Sequence, residues 1–390
     1  MRDLARLLST QGPLNWEVAR NLAQWTASGG QPEANPDPLS RARMEELLRV
    51  AELHVSDATG IGAGEGPLRL RAVSPREWAW RTLDAWRTPL ERLAGAMTAG
   101  AGDGGGAGGE GSGEGAGTAG AGGSDAPDPM GQLLGNLPQV LGPLLFGMQA
   151  GSMVGELGSR AMGQYDLPVP RPLAEEILVV PATIDAFAQE WNLAPDEVRL
   201  WVCLREVTNH VVLSRPHVRE RLDALMGNYV AAFQPDPHAL EERLAGFDPT
   251  DMEAMQSVFG DPEALFGDLR SDAQRRLQVP LNTLLAAVVG YVDHVLDVVG
   301  RRMIGSYAPL TEALRRRRLE ESSGTRVLAL LLGVELDAAT YDRGQAFCRG
   351  VLERAGEEGL NRLWRSPAHL PTPAEIDAPG LWLARIDLPD

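Results

Sequence analysis

Arg205-Glu206-Val207-Thr208-Asn209-His210 keeps the spacing of a zinc-binding helix but not its metal ligands. In an H-E-x-x-H helix two histidines four apart share a face and hold the metal. The glutamate takes a proton from the metal-bound water. Here Glu206 keeps the position of that general base, now vestigial, while Arg205 and Asn209 stand at the two ligand positions. A guanidinium carries a permanent positive charge and cannot bind zinc. A carboxamide is a weak donor for a metal that prefers nitrogen and sulfur. The hexapeptide predicts a hydrolytic helix that no longer holds a metal.

An ideal helix places 205 and 209 on one face and 206 and 210 on another, rotated by about 100°. Glu206 and His210 therefore form their own i, i+4 pair, with Cys203 three residues before Glu206. These donors do not complete a zinc site, so no metal is expected. Losing a divalent cation leaves buried acids without counter-charge, a cost of several kcal/mol. Arg205 projecting into the cavity supplies charge and donors in its place, with Glu206 or Asp293 as partner. The alternative is a solvent-facing Arg205 on a helix whose cavity has collapsed. His210, Asp293 and His294 are the remaining cleft candidates. His54, His217, His238 and His369 have no companions at ligand spacing.

These residues need a frame of helices. Residues 198–213 read as one long apolar helix carrying the motif, and 176–181, with Ile177-Leu178-Val179-Val180, as a short strand. The two are expected to wall a groove. Asn15 caps a helix over 16–25. A second helix spans 38–55, and Ser74-Pro75-Arg76-Glu77 opens a third that carries Trp78, Trp80 and Trp86, read as core. The Gly/Ala-rich tract 98–129 has little to bury and reads as a disordered loop or linker. Its chance G-x-G-x-x-G matches follow no strand and open no helix, which rejects dinucleotide binding. Residues 130–162 are apolar and broken by Gly142 and Pro143. Gly147, Gly151 and Gly155 then recur every four residues, a rhythm suited to close helix packing. Helices are expected over 216–233, 280–304, 325–334 and 346–363, with short helices and loops over the acidic stretch 235–273. The four arginines Arg315 to Arg318 either bind an anion or, flanked by Glu312, Glu320 and Glu321, form a solvated face. The chain divides into an N-terminal helical region (1–97), the linker (98–129) and a larger helical region (130–390) that packs with the first. The fold class is mainly α with a small β component.

Several segments resemble an actinobacterial family of zincin-like hydrolases and metallopeptidases, some of whose members come from coenzyme F420-producing organisms. They are LGPLLFGMQAGSMVG (141–155), QYDLPVPRP (164–172), IDAFA (184–188), DEVRLWVCL (196–204), GYVDHV (290–295) and LRRRR (314–318). The family reads H-E-L-T-H-H where this chain has Arg205 to His210. It also tends to carry a glutamate, a third ligand, where this chain has Val289. The resemblance implies a zincin-like metallopeptidase fold, zinc in active relatives, and three altered ligand positions here: Arg205, Asn209 and Val289.

Composition narrows the functions further. The formal charge of −17 opposes general nucleic-acid binding, which needs a basic face. All 36 basic side chains are arginine, which removes Schiff-base and Walker-lysine chemistry. Cys203 and Cys348 read as buried free thiols. No leader or membrane-spanning stretch is evident, so the expected compartment is the cytoplasm. The expected role is binding or assembly with a protein or peptide partner. The alternatives are a metal-dependent hydrolase with an altered site using Glu206 as base, and a peripheral membrane protein using 130–162.

Overall fold

The computed structural model describes residues 12–388 except 34, 63–67, 103–128, 173–175, 234–269 and 321. The expected short helices of 235–273 and most of the expected linker therefore lie outside the described residues.

Helix α1 (Trp16–Ala27) begins at Asn15, whose side chain accepts the Val18 N–H at 3.1 Å. It buries Ala19, Ala23 and Ala27 against α5 (Pro129–Arg160). Gly151 and Gly155 meet that alanine face and Gly147 meets the Asn15 backbone; a Cβ at Gly151 would sit 2.5 Å from the Ala19 carbonyl oxygen. The four-residue glycine rhythm thus serves backbone-to-backbone packing. Gly142 and Pro143 do not break α5, which continues through both; the Pro143 carbonyl accepts the Asn15 N–H at 2.9 Å. Over 144–160 only Ser152 and Ser159 are exposed, leaving no apolar face for a bilayer.

Helix α2 (Pro38–Thr59) follows, then strand β1 (Arg69–Ala72) and α3 (Pro75–Ala85). Ser74 caps α3 by accepting the Glu77 N–H at 3.2 Å. Trp78 and Trp86 are core residues as expected. Trp80 is only partly buried, between the guanidiniums of Arg20 and Arg81. Helix α4 (Arg87–Gly102) carries helical backbone into the first residues of the expected linker.

Strand β2 (Glu176–Val179) pairs in parallel with β1, Arg69 against Glu176 through Ala72 against Val179. Its other side takes an antiparallel bridge from Gly163, flanked by Gln164 N–H to Leu178 O at 2.8 Å and Val180 N–H to Met162 O at 2.9 Å. This small sheet fixes the segment 162–165, which matters for the site.

Helix α6 (Pro181–Glu190) leads to α7 (Pro195–Leu213). Of residues 198–213 only Arg199 and Arg205 are not buried, the pattern of a helix enclosed on nearly all sides. It packs against α2, α6, α8 (Pro216–Ala231) and α9 (Asp272–Met303). Helix α9 starts eight residues before the expected Pro280, because Ser271 and Gln274 form a reciprocal capping box that overrides the proline. By length and composition α9 could cross a membrane, but 78% of its most apolar window is buried inside the protein. It crosses α12 (Ala338–Asn361) where Gly290 meets Gly344. Helix α12 also starts earlier than expected, capped by Asp337, which accepts the Thr340 N–H at 2.8 Å. Helices α10 (Tyr307–Leu319), α11 (Ser323–Leu332) and α13 (Pro379–Ile386) complete the described elements that pack here.

Candidate functional site

Helix α7 carries Glu206 into the interior, where the side chain is fully buried. Space for it exists because residue 163 is glycine: a Cβ there would lie 2.3 Å from the Glu206 carboxyl carbon. Glu206 Oε2 accepts the Tyr165 N–H at 2.7 Å. Oε1 accepts from Arg205 Nε at 3.2 Å and Nη2 at 2.9 Å. Burial lifts the Glu206 pKa to about 7, against the pull of Arg205.

Arg205 also pairs with Asp166 and lies 5.2 Å over the Trp201 ring. Asp166 in turn accepts the Met162 N–H through its other oxygen, at 2.6 Å. The guanidinium is thus held between two carboxylates, and its side chain is only 14% exposed. Asn209, one turn on, donates from Nδ2 to the Arg205 carbonyl at 3.0 Å. His210 points elsewhere: its Nδ1 lies 3.0 Å from the Tyr165 hydroxyl. The Glu206/His210 pair therefore grips one residue, Tyr165, at its backbone and its ring.

Arg205, Asn209 and Val289 all line one cavity of about 630 Å³. The cavity has not collapsed, and Arg205 does not face solvent. Asp293 lies on its wall but is not the partner of Arg205. It takes both ends of Arg318 at 2.8 Å. His294 faces away and meets Glu357 at 2.9 Å. The strand 176–181 does not wall the cavity as expected; residues 162 and 165–168 do, because the Gly163 bridge inserts that segment beside β2. Cys203 lies against the Met44 carbonyl, with its Sγ 3.8 Å away.

Sequence reasoning missed Asp166. The only sequence pointer was its place in the QYDLPVPRP segment, immediately after the tyrosine whose backbone Glu206 holds in the structure.

Zinc needs three protein donors converging on an open position. The three cavity positions offer a guanidinium, a carboxamide whose nitrogen is committed to the backbone, and an alkyl group. Among the described residues no three His, Cys, Asp or Glu side chains form a group suited to a metal ion. The residues present do not fit zinc.

Comparisons with known proteins bear on family and fold. Residues 14–383 match the family described as "Zincin-like metallopeptidase". A crystal structure from Chloroflexus aurantiacus, described as "a putative hydrolase with a novel fold", aligns with a TM-score of 0.62 at 22% identity. The alignment covers 97% of this chain and 100% of that one. At that identity the likeness concerns the fold. No curated protein matches the chain.

Proposed function

The chain belongs to the zincin-like metallopeptidase family, and we propose that it has kept the fold while losing zinc and peptide hydrolysis. In this reading it acts as a binding or assembly protein through the cavity beside α7. One observation carries the reading: the Arg205 guanidinium is bonded to the carboxylate that would serve as general base. A general base must present a free oxygen to water or to a protonated substrate. Both oxygens of Glu206 hold donors already, and no part of the side chain reaches solvent. We place the chain with the actinobacterial branch of the family, on the segments that resemble it. We place it in the cytoplasm, since its two cysteines are free and buried.

An altered-site hydrolase has one observation in its favour. Glu206, raised to about 7, lies where a base works near neutral pH. Against it stand the buried carboxylate, with donors on both oxygens, and the ligand-poor cavity. The peripheral-membrane reading has no support from 144–160, whose exposed residues are serines.

A hydrolysis screen tests the reading. Wild-type protein and Glu206→Gln are assayed on casein, fluorogenic peptides and a nitrophenyl ester, with added zinc. No turnover that depends on Glu206 is expected. Turnover abolished by Glu206→Gln would overturn the proposal.

A further inference from the structure

The four-arginine run on α10 divides between solvent and cavity. Arg315 and Arg316 are exposed and share Glu312, at 3.1 and 2.8 Å. Arg317 and Arg318 line the cavity. The carboxylates on the cavity wall are already engaged: Asp166 by Arg205, Asp293 by Arg318, and Glu320 by Arg160. Glu335 accepts from Gln278 at 2.7 Å, and Asp337 caps α12. Arg317 is different. It donates to the Arg160 carbonyl and lies 5.3 Å over the Phe187 ring, and no described carboxylate is ion-paired with it. Burial lowers its pKa, and the attraction of Asp166 and Glu320 does not offset it. In Arg205 the same burial is outweighed by Asp166 and Glu206, and in Arg318 by Asp293.

The rest of the wall limits what can enter. Trp78, Trp201 and Tyr341 contribute rings, and Leu157, Val292 and Leu328 apolar surface. Much of the backbone edge at 162–165 that an extended peptide would need is already engaged. The Gly163 carbonyl accepts from Trp78 Nε1 at 2.9 Å, and the Tyr165 and Met162 N–H groups are held by Glu206 and Asp166. The cavity volume of about 630 Å³ falls within the range of small-molecule pockets, about 300–1,000 Å³.

We infer that the cavity binds a small amphipathic anion, with its apolar or aromatic body among the rings and its anionic group on Arg317. The inference rests on the reading of the cavity as a binding site and names its ligand class.

Calorimetric titration with three matched probes tests it: 2-naphthoate, 2-naphthyl phosphate and the neutral 2-naphthamide. At least one anion is expected to bind ten-fold or more tightly than the amide. Arg317→Gln is expected to remove that advantage, whereas Arg315→Gln, on the exposed side, keeps it. Comparison of the two anions separates a carboxylate site from a phosphate site. Equal binding of the amide, or an unchanged anion preference in folded Arg317→Gln protein, would overturn the anion assignment and leave the binding-site reading standing. Failure of all three probes would overturn the ligand class. Zinc-dependent turnover in the hydrolysis screen would instead overturn the underlying reading.

Discussion

Arg205 places two donors on one oxygen of Glu206, Nε at 3.2 Å and Nη2 at 2.9 Å. The pair occupies adjacent positions on α7, so the helix itself fixes a cation against the buried acid. Asp166, from the segment beside β2, closes the arrangement from the other side.

Removing the cation should be costly, and more so at high pH. Arg205→Ala leaves Glu206 and Asp166 facing each other without counter-charge, a loss of about 3 kcal/mol for an uncompensated buried charge. Protonation of Glu206 relieves part of that loss. Denaturant unfolding should therefore show a larger deficit at pH 8 than at pH 6. An equal or absent deficit at both values would contradict the ion-pair account.

Glu206 should give a pH slope of defined sign. Its folded pKa of about 7 lies above the ordinary carboxylate range. Between those values the folded state holds a proton that the unfolded state has released. Its contribution to stability is therefore present at low pH and falls as pH rises toward about 7. Glu206→Gln has no such titration, so the wild-type curve should decline relative to the variant across this window. Parallel curves would contradict the assignment.

The glycine stripe should discriminate between positions. Gly151→Ala drives a Cβ into the Ala19 backbone and should cost about 1–3 kcal/mol through overpacking. Gly95→Ala, in α4 with no atom of the described residues within 4 Å of the added carbon, should gain up to about 1 kcal/mol from helix propensity. Thermal unfolding of the two variants provides the comparison.

Donors can be put back. Arg205→His, Asn209→His and Val289→Glu combined place three ligand types on one cavity wall and release Glu206 from its guanidinium. The triple variant should bind zinc in a competition titration with a chromophoric chelator. Failure of a folded triple variant to do so would count against these three positions as a former metal site.

Much of the frame was legible because its signals are local. Asn15 and Ser74 caps, the apolar run of α7 and the glycine rhythm of α5 each lie within one element, and each has the expected structural role. The capping box at Ser271 and the N-cap at Asp337 were also local, yet the expected helices began only at Pro280 and Ala346. What was not legible depends on distant pairing. Strand β1 exists through β2, more than a hundred residues away in sequence. The replacement of strand 176–181 by 162–168 on the cavity wall follows from the Gly163 bridge. Within the site, the motif offered Glu206 or Asp293 as partner of Arg205, beside a solvent-facing Arg205, and the structure has the Glu206 pair. Asp166 was not legible, because its role depends on the sheet holding 162–165 against α7.

The central claim is that a guanidinium has taken the place of a metal. Elemental analysis of protein purified without chelators or a metal-affinity step tests it most directly. The account predicts zinc and other transition metals far below one ion per chain in folded protein. Near-stoichiometric zinc, lost on Glu206→Gln or His210→Ala substitution, would contradict it.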